Sequence, residues 1–372
     1  MMMIYLDYNA STPVDPAVRE AMWPYLGKFY GNPSSAHVMG RRMREAVDKA
    51  RQQVAMLLGA RADEIIFTSG GTEANNFVIK GVAATRSNKG RHIIISAIEH
   101  PAVVNPCRAL EGIGFDLSYV GVDASGLVDV QAVIAEIRPD TILISIMHAN
   151  NEVGSIQPIA EIAEVAREAG ILMHTDAAQS CGKIPAKVAE LGVDCLSLAG
   201  HKLYAPTGIG ALYIRRGVEI EPLHHGAGHE GGRRAGTEPV AQIVGLGTAA
   251  ELAMQHDGDA CLRALRDRLF DGLRRRLGED VVMLGHPELR LPNTLAIGLR
   301  GRVGADVLAA CPEICASTGA ACHSGAGGRS GTLAAMNVPA DIADGAIRLS
   351  VGRFTTEAEV DDAVAMIGDA CR

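Results

Sequence analysis

The chain has 372 residues, 48% of them hydrophobic, and its 35 basic and 43 acidic side chains give a net charge of −8. This length accommodates a large domain and a smaller one, and the acidic balance argues against nucleic acid as the main ligand. The eight cysteines show no repeated metal-type spacing, and neither a targeting segment nor a charge-free stretch of membrane-spanning length is recognisable, so we expect a cytoplasmic protein with reduced thiols and no metal or membrane site.

Between residues 60 and 215, short runs rich in β-branched residues alternate with amphipathic helical stretches, such as the one over 158–169. Strands separated by helices indicate an α/β fold with a mostly parallel sheet that is covered on both faces. Ligands of such sheets bind beyond the carboxyl ends of the strands. The seven candidate strands lie over 64–68, 92–96, 116–120, 141–147, 171–175, 195–198 and 210–214.

The pattern changes beyond Gly236. A long helical region is predicted over 239–277, followed by a strand over 293–299, a helix over 305–310 and a strand over 346–351. This arrangement is typical of a second, smaller α+β domain, hinged on the long helix.

Polar side chains follow several of the predicted strands. Gly70-Gly71-Thr72 is typical of a glycine turn that opens a helix, where free N–H groups and the positive dipole end can bind a phosphate; a capped helix without a ligand is the alternative. His100 could stack on a planar ring and exchange protons with a substrate, or bond only the local backbone. Asn150 could donate to a phenolate oxygen, or serve only its turn.

Asp176 and Lys202 give the strongest signal. Asp176 ends a buried strand, so its carboxylate must find a cation or donors; a protonated pyridine nitrogen would serve, and an ordinary ion pair is the alternative. Gln179 follows two small alanines and can approach a ring oxygen. One strand later, Lys202 can form a Schiff base with an aldehyde cofactor. Together these residues predict a site for pyridoxal 5′-phosphate.

Two further residues suit an amino-acid substrate. Arg348 lies in an apolar strand of the second domain, where a guanidinium can clamp a carboxylate with two hydrogen bonds; a structural ion pair is the alternative. Cys322 lies among glycines and other small residues, where a thiol could reach both the cofactor and an external acceptor; an incidental thiol is the alternative. The combination indicates sulfur chemistry on an amino acid.

Six segments resemble signatures of the cysteine desulfurases in the class V aminotransferase group, which have the pyridoxal-phosphate fold type I. The resemblance runs from near Tyr5 to the C-terminal region, and so many matches in one order are specific. Cys322 precedes Arg348 by 26 residues, which is similar to the long-loop branch of these enzymes. The matching segments are 5–13, 31–35, 67–73, 174–179, 200–202 and 348–353.

The resemblance implies a large cofactor-binding domain over 13–250 and a small domain, formed by 1–12 and 251–372, that carries the catalytic cysteine. Cys322, Lys202 and His100 would be catalytic. Asn32 and Arg348 would bind the substrate. The residues that would bind pyridoxal 5′-phosphate are Gly71, Thr72, His100, Asn150, Asp176, Gln179, His201, Lys202 and, across a dimer interface, Thr237.

The implied activity converts L-cysteine to L-alanine in a homodimer and leaves the sulfur as a persulfide on Cys322. An acceptor protein would then take the sulfur, either a scaffold for iron–sulfur clusters or a tRNA- or DNA-thiolation protein. Two departures stand out: Ala199 replaces a phosphate-binding serine found in many relatives, and 320–324 looks closer to selenocysteine lyases. Selenocysteine lyase is therefore the alternative activity, and a partner-docking scaffold with a vestigial site is the alternative class of protein.

Overall fold

A computed structural model describes residues 3–255, 259–318 and 330–372. The strands in these ranges are β1 (Ile4–Tyr5), β2 (Ile65–Thr68), β3 (His92–Ser96), β4 (Asp116–Val120), β5 (Thr141–Ser145), β6 (Leu172–Asp176), β7 (Cys195–Ala199), β8 (Gly210–Ile214), β9 (Val281–Leu284), β10 (Thr294–Leu299), β11 (Ile314–Cys315) and β12 (Ala346–Ser350). The helices are α1 (Pro16–Met22), α2 (Val38–Leu58), α3 (Gly71–Arg86), α4 (Pro101–Glu111), α5 (Val130–Glu136), α6 (Ile159–Glu168), α7 (Val188–Leu191), α8 (Val240–Gln255), α9 (Asp259–Leu277), α10 (Gly304–Ala309), α11 (Gly331–Ala335), α12 (Ala340–Ala343) and α13 (Glu357–Ala370).

The central sheet has seven strands in the order β2-β8-β7-β6-β5-β3-β4. The five strands from β4 to β7 in this order are parallel, whereas β8 runs antiparallel to both of its neighbours. The predicted mostly parallel, seven-stranded sheet is confirmed. Each predicted strand ends within two residues of its observed end. All of these strands except β4 are buried along their whole length, which selects mainly apolar runs.

Helices cover both faces of this sheet. Helices α2, α6 and α8 share one hydrophobic core with it, and α3 and α4 share another core on the opposite face. The predicted apolar face of α6 is buried as expected. Helix α8 lies very close to α2, since a Cβ added at Gly247 would lie only 2.6 Å from Ala50.

A second sheet has the antiparallel order β12-β10-β9, and α9 and α13 pack against it. The first residues of the chain join this layer. Strand β1 pairs in parallel with β11, and the backbone N–H of Ser350 donates to the carbonyl of Leu6 at 2.7 Å. The start of the chain is therefore fixed by residues more than 300 positions away.

The helical region predicted over 239–277 is described as two helices, on either side of residues 256–258, which lie outside the described ranges. The two helices belong to different cores. The apolar helix α8 packs with α2, whereas the charged, amphipathic α9 packs with α13. No helix within the described ranges is long and apolar enough to cross a membrane.

Candidate active site

Asp176 is the last residue of β6 and is only 7% exposed. Its Oδ2 accepts a hydrogen bond from Nδ2 of Asn75 at 2.6 Å, and its Oδ1 accepts from the backbone N–H of Ala178 at 2.9 Å. Among the described residues no cation forms an ion pair with this carboxylate, so the ordinary ion pair that the sequence left open is not found there. A buried carboxylate of this kind is stabilised by a cation, which the described residues do not supply.

Lys202 lies one strand further along the sheet, at the end of a short 3-10 turn that follows β7. Its Nζ donates to the backbone carbonyls of Asn9 and, at 2.7 Å, of Ala10. The carbonyl of Asn9 also accepts from Nε2 of Gln179 at 2.9 Å. The structure therefore brings Lys202 and Gln179 to the same backbone oxygen.

Asn9 is a residue of this site for which sequence reasoning found no role. It is 1% exposed, its backbone N–H donates to Oγ of Ser350 at 2.9 Å, and its Nδ2 donates to Oγ1 of Thr294 at 2.8 Å. Because its carbonyl also meets Lys202, Asn9 joins the two sheets at the site. The only signal in the sequence was its position inside the family-like segment 5–13.

The glycine turn before α3 leads directly into the N-terminus of a long helix. Gly70 has a φ of +150°, which is readily adopted only by glycine, and the 16-residue helix α3 begins at the next residue. A Cβ added at Gly71 would lie 3.4 Å from the methyl group of Ala199. The methyl of Ala199 thus faces the turn, and it offers no hydroxyl there.

His201 lies between the N-terminal segment and Lys202. Its Nδ1 is 3.4 Å from Oγ of Ser11, and its carbonyl accepts from the backbone N–H of Thr12 at 2.9 Å. Burial, together with the positive charge of Lys202, lowers the pKa of His201 to about 4. Near pH 7 the imidazole is neutral, so it can serve a phosphate as a hydrogen-bond donor but not as a cation.

His100 is the N-cap of α4, and its Nδ1 accepts from the backbone N–H of Ala102 at 3.1 Å. The local backbone bond that the sequence allowed is therefore present. His100 and Thr72 line one surface depression, together with Asn76 and Lys80. The hydrogen bond at Nδ1 orients the imidazole ring of His100 beside the start of α3.

Asn150 is fully buried. Its Oδ1 accepts from the backbone N–H groups of Glu152 at 2.8 Å and Val153 at 3.0 Å, which is the turn chemistry that the sequence allowed. Its Nδ2 donates to the carbonyl of Ile98 at 3.2 Å. The same Nδ2 also donates to Sδ of Met147 and to Oγ1 of Thr332, both at 3.5 Å, so the amide is bonded within the protein at its oxygen and at its nitrogen.

Glu99, the neighbour of His100, is a buried acid that sequence reasoning missed. Its Oε1 accepts from Oγ of Ser96 at 2.6 Å and from the backbone N–H of Met147 at 2.8 Å, while its buried Oε2 has no hydrogen-bond partner among the described residues. Burial, with a smaller contribution from the charge of Asp176, raises the pKa of Glu99 from 4.5 to about 8. Glu99 is thus a neutral acid at pH 7.

We expect Glu99→Gln to become progressively more stable than the wild type as the pH rises from about 5 to 8. The folded pKa lies above the unfolded one, so the stability that the protonated acid confers is complete below pH 4.5 and is lost as the pH rises towards 8. Thermal unfolding at several pH values should show the difference in Tm growing by ~2 °C or more. Glu20→Gln, at a side chain that is 77% exposed, is the control and should show no such trend; a constant difference for Glu99→Gln would refute the assignment.

Arg348 is 6% exposed in β12. Its Nη2 forms an ion pair with Oδ1 of Asp7 at 2.6 Å, and its Nη1 donates to the carbonyl of Asn151 at 2.9 Å. Its buried Nε has no hydrogen-bond partner among the described residues. The structural ion pair is therefore present, and it uses only part of the guanidinium, which has five N–H donors.

For Arg348→Ala we expect a KM for L-cysteine that is roughly 10- to 150-fold higher, because a charge-assisted hydrogen bond to the substrate carboxylate is lost. Cofactor affinity should stay close to that of the wild type, which steady-state kinetics and a cofactor titration would check. Asp7→Asn breaks the same ion pair but keeps the guanidinium, and should leave most of the substrate affinity intact. Equal losses in the two variants would mean that Arg348 is only structural.

Three predicted residues are not brought to Lys202 by the described contacts. Asn32 is exposed, and its Oδ1 accepts from the backbone N–H of Ser34 at 2.8 Å, within its own turn. Thr237 is exposed and lines a separate depression behind the glycine turn. Cys322 lies outside the described residues.

The segment that carries Thr237 is nevertheless connected by side-chain hydrogen bonds to the glycine turn before α3. Nε of Arg234 donates to Oε1 of Glu73 at 2.9 Å, and Oε2 of Glu73 accepts from the backbone N–H of Ser69 at 2.8 Å. One carboxylate therefore holds both the turn before α3 and the segment before Thr237.

The donor set at this edge of the sheet fits pyridoxal 5′-phosphate. The buried carboxylate of Asp176 has no ion-pair partner in the described part of the chain and suits a protonated ring nitrogen. The turn at Gly70 and Gly71, with the neutral His201, suits a phosphate. Lys202 supplies a primary amine on the adjacent strand.

Comparisons with known proteins agree with this description. Residues 4–363 match the family model described as aminotransferase class-V. The chain is 48% identical over 362 residues to the cysteine desulfurase IscS of Dictyoglomus turgidum, covering 96% of this chain and 92% of that protein. Among solved structures it is similar to a NifS-like protein at 39% identity and a TM-score of 0.93, covering 99% of both chains. It is also similar to SspA in complex with cysteine at 38% identity and a TM-score of 0.84, covering 95% of this chain and 99% of that one. The chain belongs to the class-V aminotransferase family.

Proposed function

We propose that this chain is a pyridoxal-phosphate-dependent cysteine desulfurase, which converts L-cysteine to L-alanine and transfers the sulfur to Cys322. The main support is its 48% identity to a cysteine desulfurase over 96% of the chain. The relatives reported above carry desulfurase or NifS-like names, or were solved with cysteine, so they do not favour the selenocysteine lyase alternative.

We assign the roles of the residues as follows. When bound, pyridoxal 5′-phosphate supplies an aldehyde for the substrate amine and an electron-withdrawing ring next to Cα. Asp176 holds a proton at the ring nitrogen, and Asn150 and Gln179 donate to the ring oxygen. Gly71, Thr72 and His201 hold the phosphate. Arg348 and Asn32 orient the substrate by its carboxylate.

Proton transfers fall to two side chains. Lys202 removes the proton from Cα of the substrate as a general base, and His100 accepts the proton of the substrate thiol. The Cys322 thiolate then attacks the substrate sulfur: the new S–S bond forms as the Cβ–S bond breaks, and the released electron pair takes up a proton at Cβ. Lys202 returns a proton to Cα, which completes alanine. The products are alanine and a persulfide on Cys322.

We further propose that residues 13–250 form the cofactor-binding domain, and that 1–12 and 251–372 form the smaller one. The pairing of β1 with β11 supports the assignment of the first residues. In the proposed homodimer, Thr237 reaches the phosphate in the partner subunit. A cytoplasmic acceptor protein receives the sulfur.

The test is alanine formation from L-cysteine and from L-selenocysteine in matched assays with a thiol reductant. We expect alanine from L-cysteine, with one sulfide released for each alanine. L-serine is the control, since it has the same backbone but no sulfur. Turnover of L-selenocysteine alone would replace the proposal with a selenocysteine lyase, and no turnover of either would leave the scaffold alternative.

A further inference from the structure

Lys183 is a second lysine close to Lys202, and the reaction described above does not use it. It lies in the turn after β6 and is partly buried. Its Nζ donates to Oε1 of Gln179 at 3.0 Å and to Oδ1 of Asn9 at 3.2 Å. No carboxylate forms an ion pair with it in the part of the chain that the structure describes, so its ammonium group is held by two amide oxygens.

Contact with an ammonium group fixes the orientation of an amide. An ammonium can only donate hydrogen bonds, whereas an amide accepts at its oxygen and donates at its nitrogen. Lys183 therefore holds Oε1 of Gln179 towards itself and turns Nε2 the other way. There one N–H donates to the carbonyl of Asn9 at 2.9 Å, the oxygen that Lys202 also contacts.

Lys183 also lies close to the basic side chains of the site. Burial lowers the pKa of Lys183 well below its usual range, and the positive charges of Lys202 and Arg348 lower it further. The two lysines are close neighbours, because both Nζ atoms contact Asn9, Lys183 at its Oδ1 and Lys202 at its carbonyl.

We propose that Lys183 is a positioning residue of the active site, which holds the amide of Gln179 with its N–H group directed at the ring oxygen of bound pyridoxal 5′-phosphate. The inference rests on the proposed function and on the role assigned there to Gln179. Lys183 acts through Gln179, not on the substrate.

The experiment is a pH titration of the visible absorption of the bound cofactor, which requires no turnover. Loss of the N–H donor makes the ring oxygen more basic, so Lys183→Met should raise the midpoint by about 1 unit. Lys183→Arg keeps the charge and the donors and should restore most of the shift. Lys187→Met is the matched control: this lysine is four residues further along, its Nζ donates to the carbonyl of Met56 at 2.8 Å, and the midpoint should not change.

A double-mutant cycle separates action through Gln179 from a general loss of charge or stability. Gln179→Leu alone should raise the midpoint, and adding Lys183→Met should change it little further. Additive shifts, or an unchanged midpoint in Lys183→Met, would overturn the proposal. Should Lys183→Met not fold, Gln179→Glu still accepts from Lys183 but has no N–H; a midpoint that did not rise there would equally refute it.

Failure of this inference is distinct from failure of the proposed function. Alanine formation by the wild type tests the proposed function by itself. A wild type that forms alanine, together with a Lys183→Met protein that has an unchanged titration, would refute only the role of Lys183. A wild type that binds no cofactor would refute both.

Discussion

Lys202→Ala is expected to lose the visible absorption band of the bound cofactor and to form alanine ~10³-fold more slowly or worse. The variant lacks the amine that would hold the cofactor covalently, and the same side chain would remove the proton from Cα. Absorbance spectra of the purified protein and an alanine assay with L-cysteine measure the two effects separately.

Lys187→Ala is the control for Lys202→Ala, because it removes a lysine whose Nζ donates only to the carbonyl of Met56 among the described hydrogen bonds. It should retain the band and the activity. Thermal unfolding of both variants would show whether the fold is intact. A Lys202→Ala protein that kept the visible band would remove Lys202 from its assigned role.

Cys322→Ala should respond to L-cysteine with the same change in cofactor absorbance as the wild type, yet form alanine about 10²- to 10⁴-fold more slowly. Substrate binding and removal of the Cα proton depend on other side chains, whereas cleavage of the Cβ–S bond needs the thiolate that accepts the sulfur. Stopped-flow spectra and a single-turnover alanine assay distinguish the two stages.

The matched control for Cys322→Ala is Cys261→Ala, which removes an exposed thiol in α9. It should have wild-type activity, and a persulfide-specific label should be lost in Cys322→Ala alone. Full turnover of L-cysteine without Cys322 would rule out the proposed sulfur transfer and direct attention to release of free sulfide.

The central sheet could be predicted because six of its seven strands are buried along their whole length and form mainly apolar runs. Strands β1 and β11 could not, since each has two residues and no periodicity to detect. The role of Asn9 could not be predicted for a related reason: its partners Ser350 and Thr294 lie 341 and 285 residues away along the chain. Such contacts depend on the tertiary fold and leave no local signal.

Within the site, position at the end of a predicted strand identified the residues whose placement follows from sheet topology alone. Asp176 and Lys202 lie at the same edge of the sheet because the parallel strands β6 and β7 both end there. Glu99 and Lys183 were missed, because the spacing of residues along the sequence does not reveal which ionisable side chains are buried next to other polar groups. For Asn32, Thr237 and Cys322 the predicted roles come from the resemblance, and they remain predictions.

The pairing of β1 with β11 has a consequence for the biogenesis of the enzyme. The hydrogen bond between Asn9 and Ser350 spans 341 residues, and a ribosome takes roughly 17–70 s to synthesise that length. Until then the nascent chain lacks this bond, which is one of the contacts that hold Asn9 beside Lys202. A chain that stalls before residue 350 therefore lacks a contact that joins the two sheets at the site.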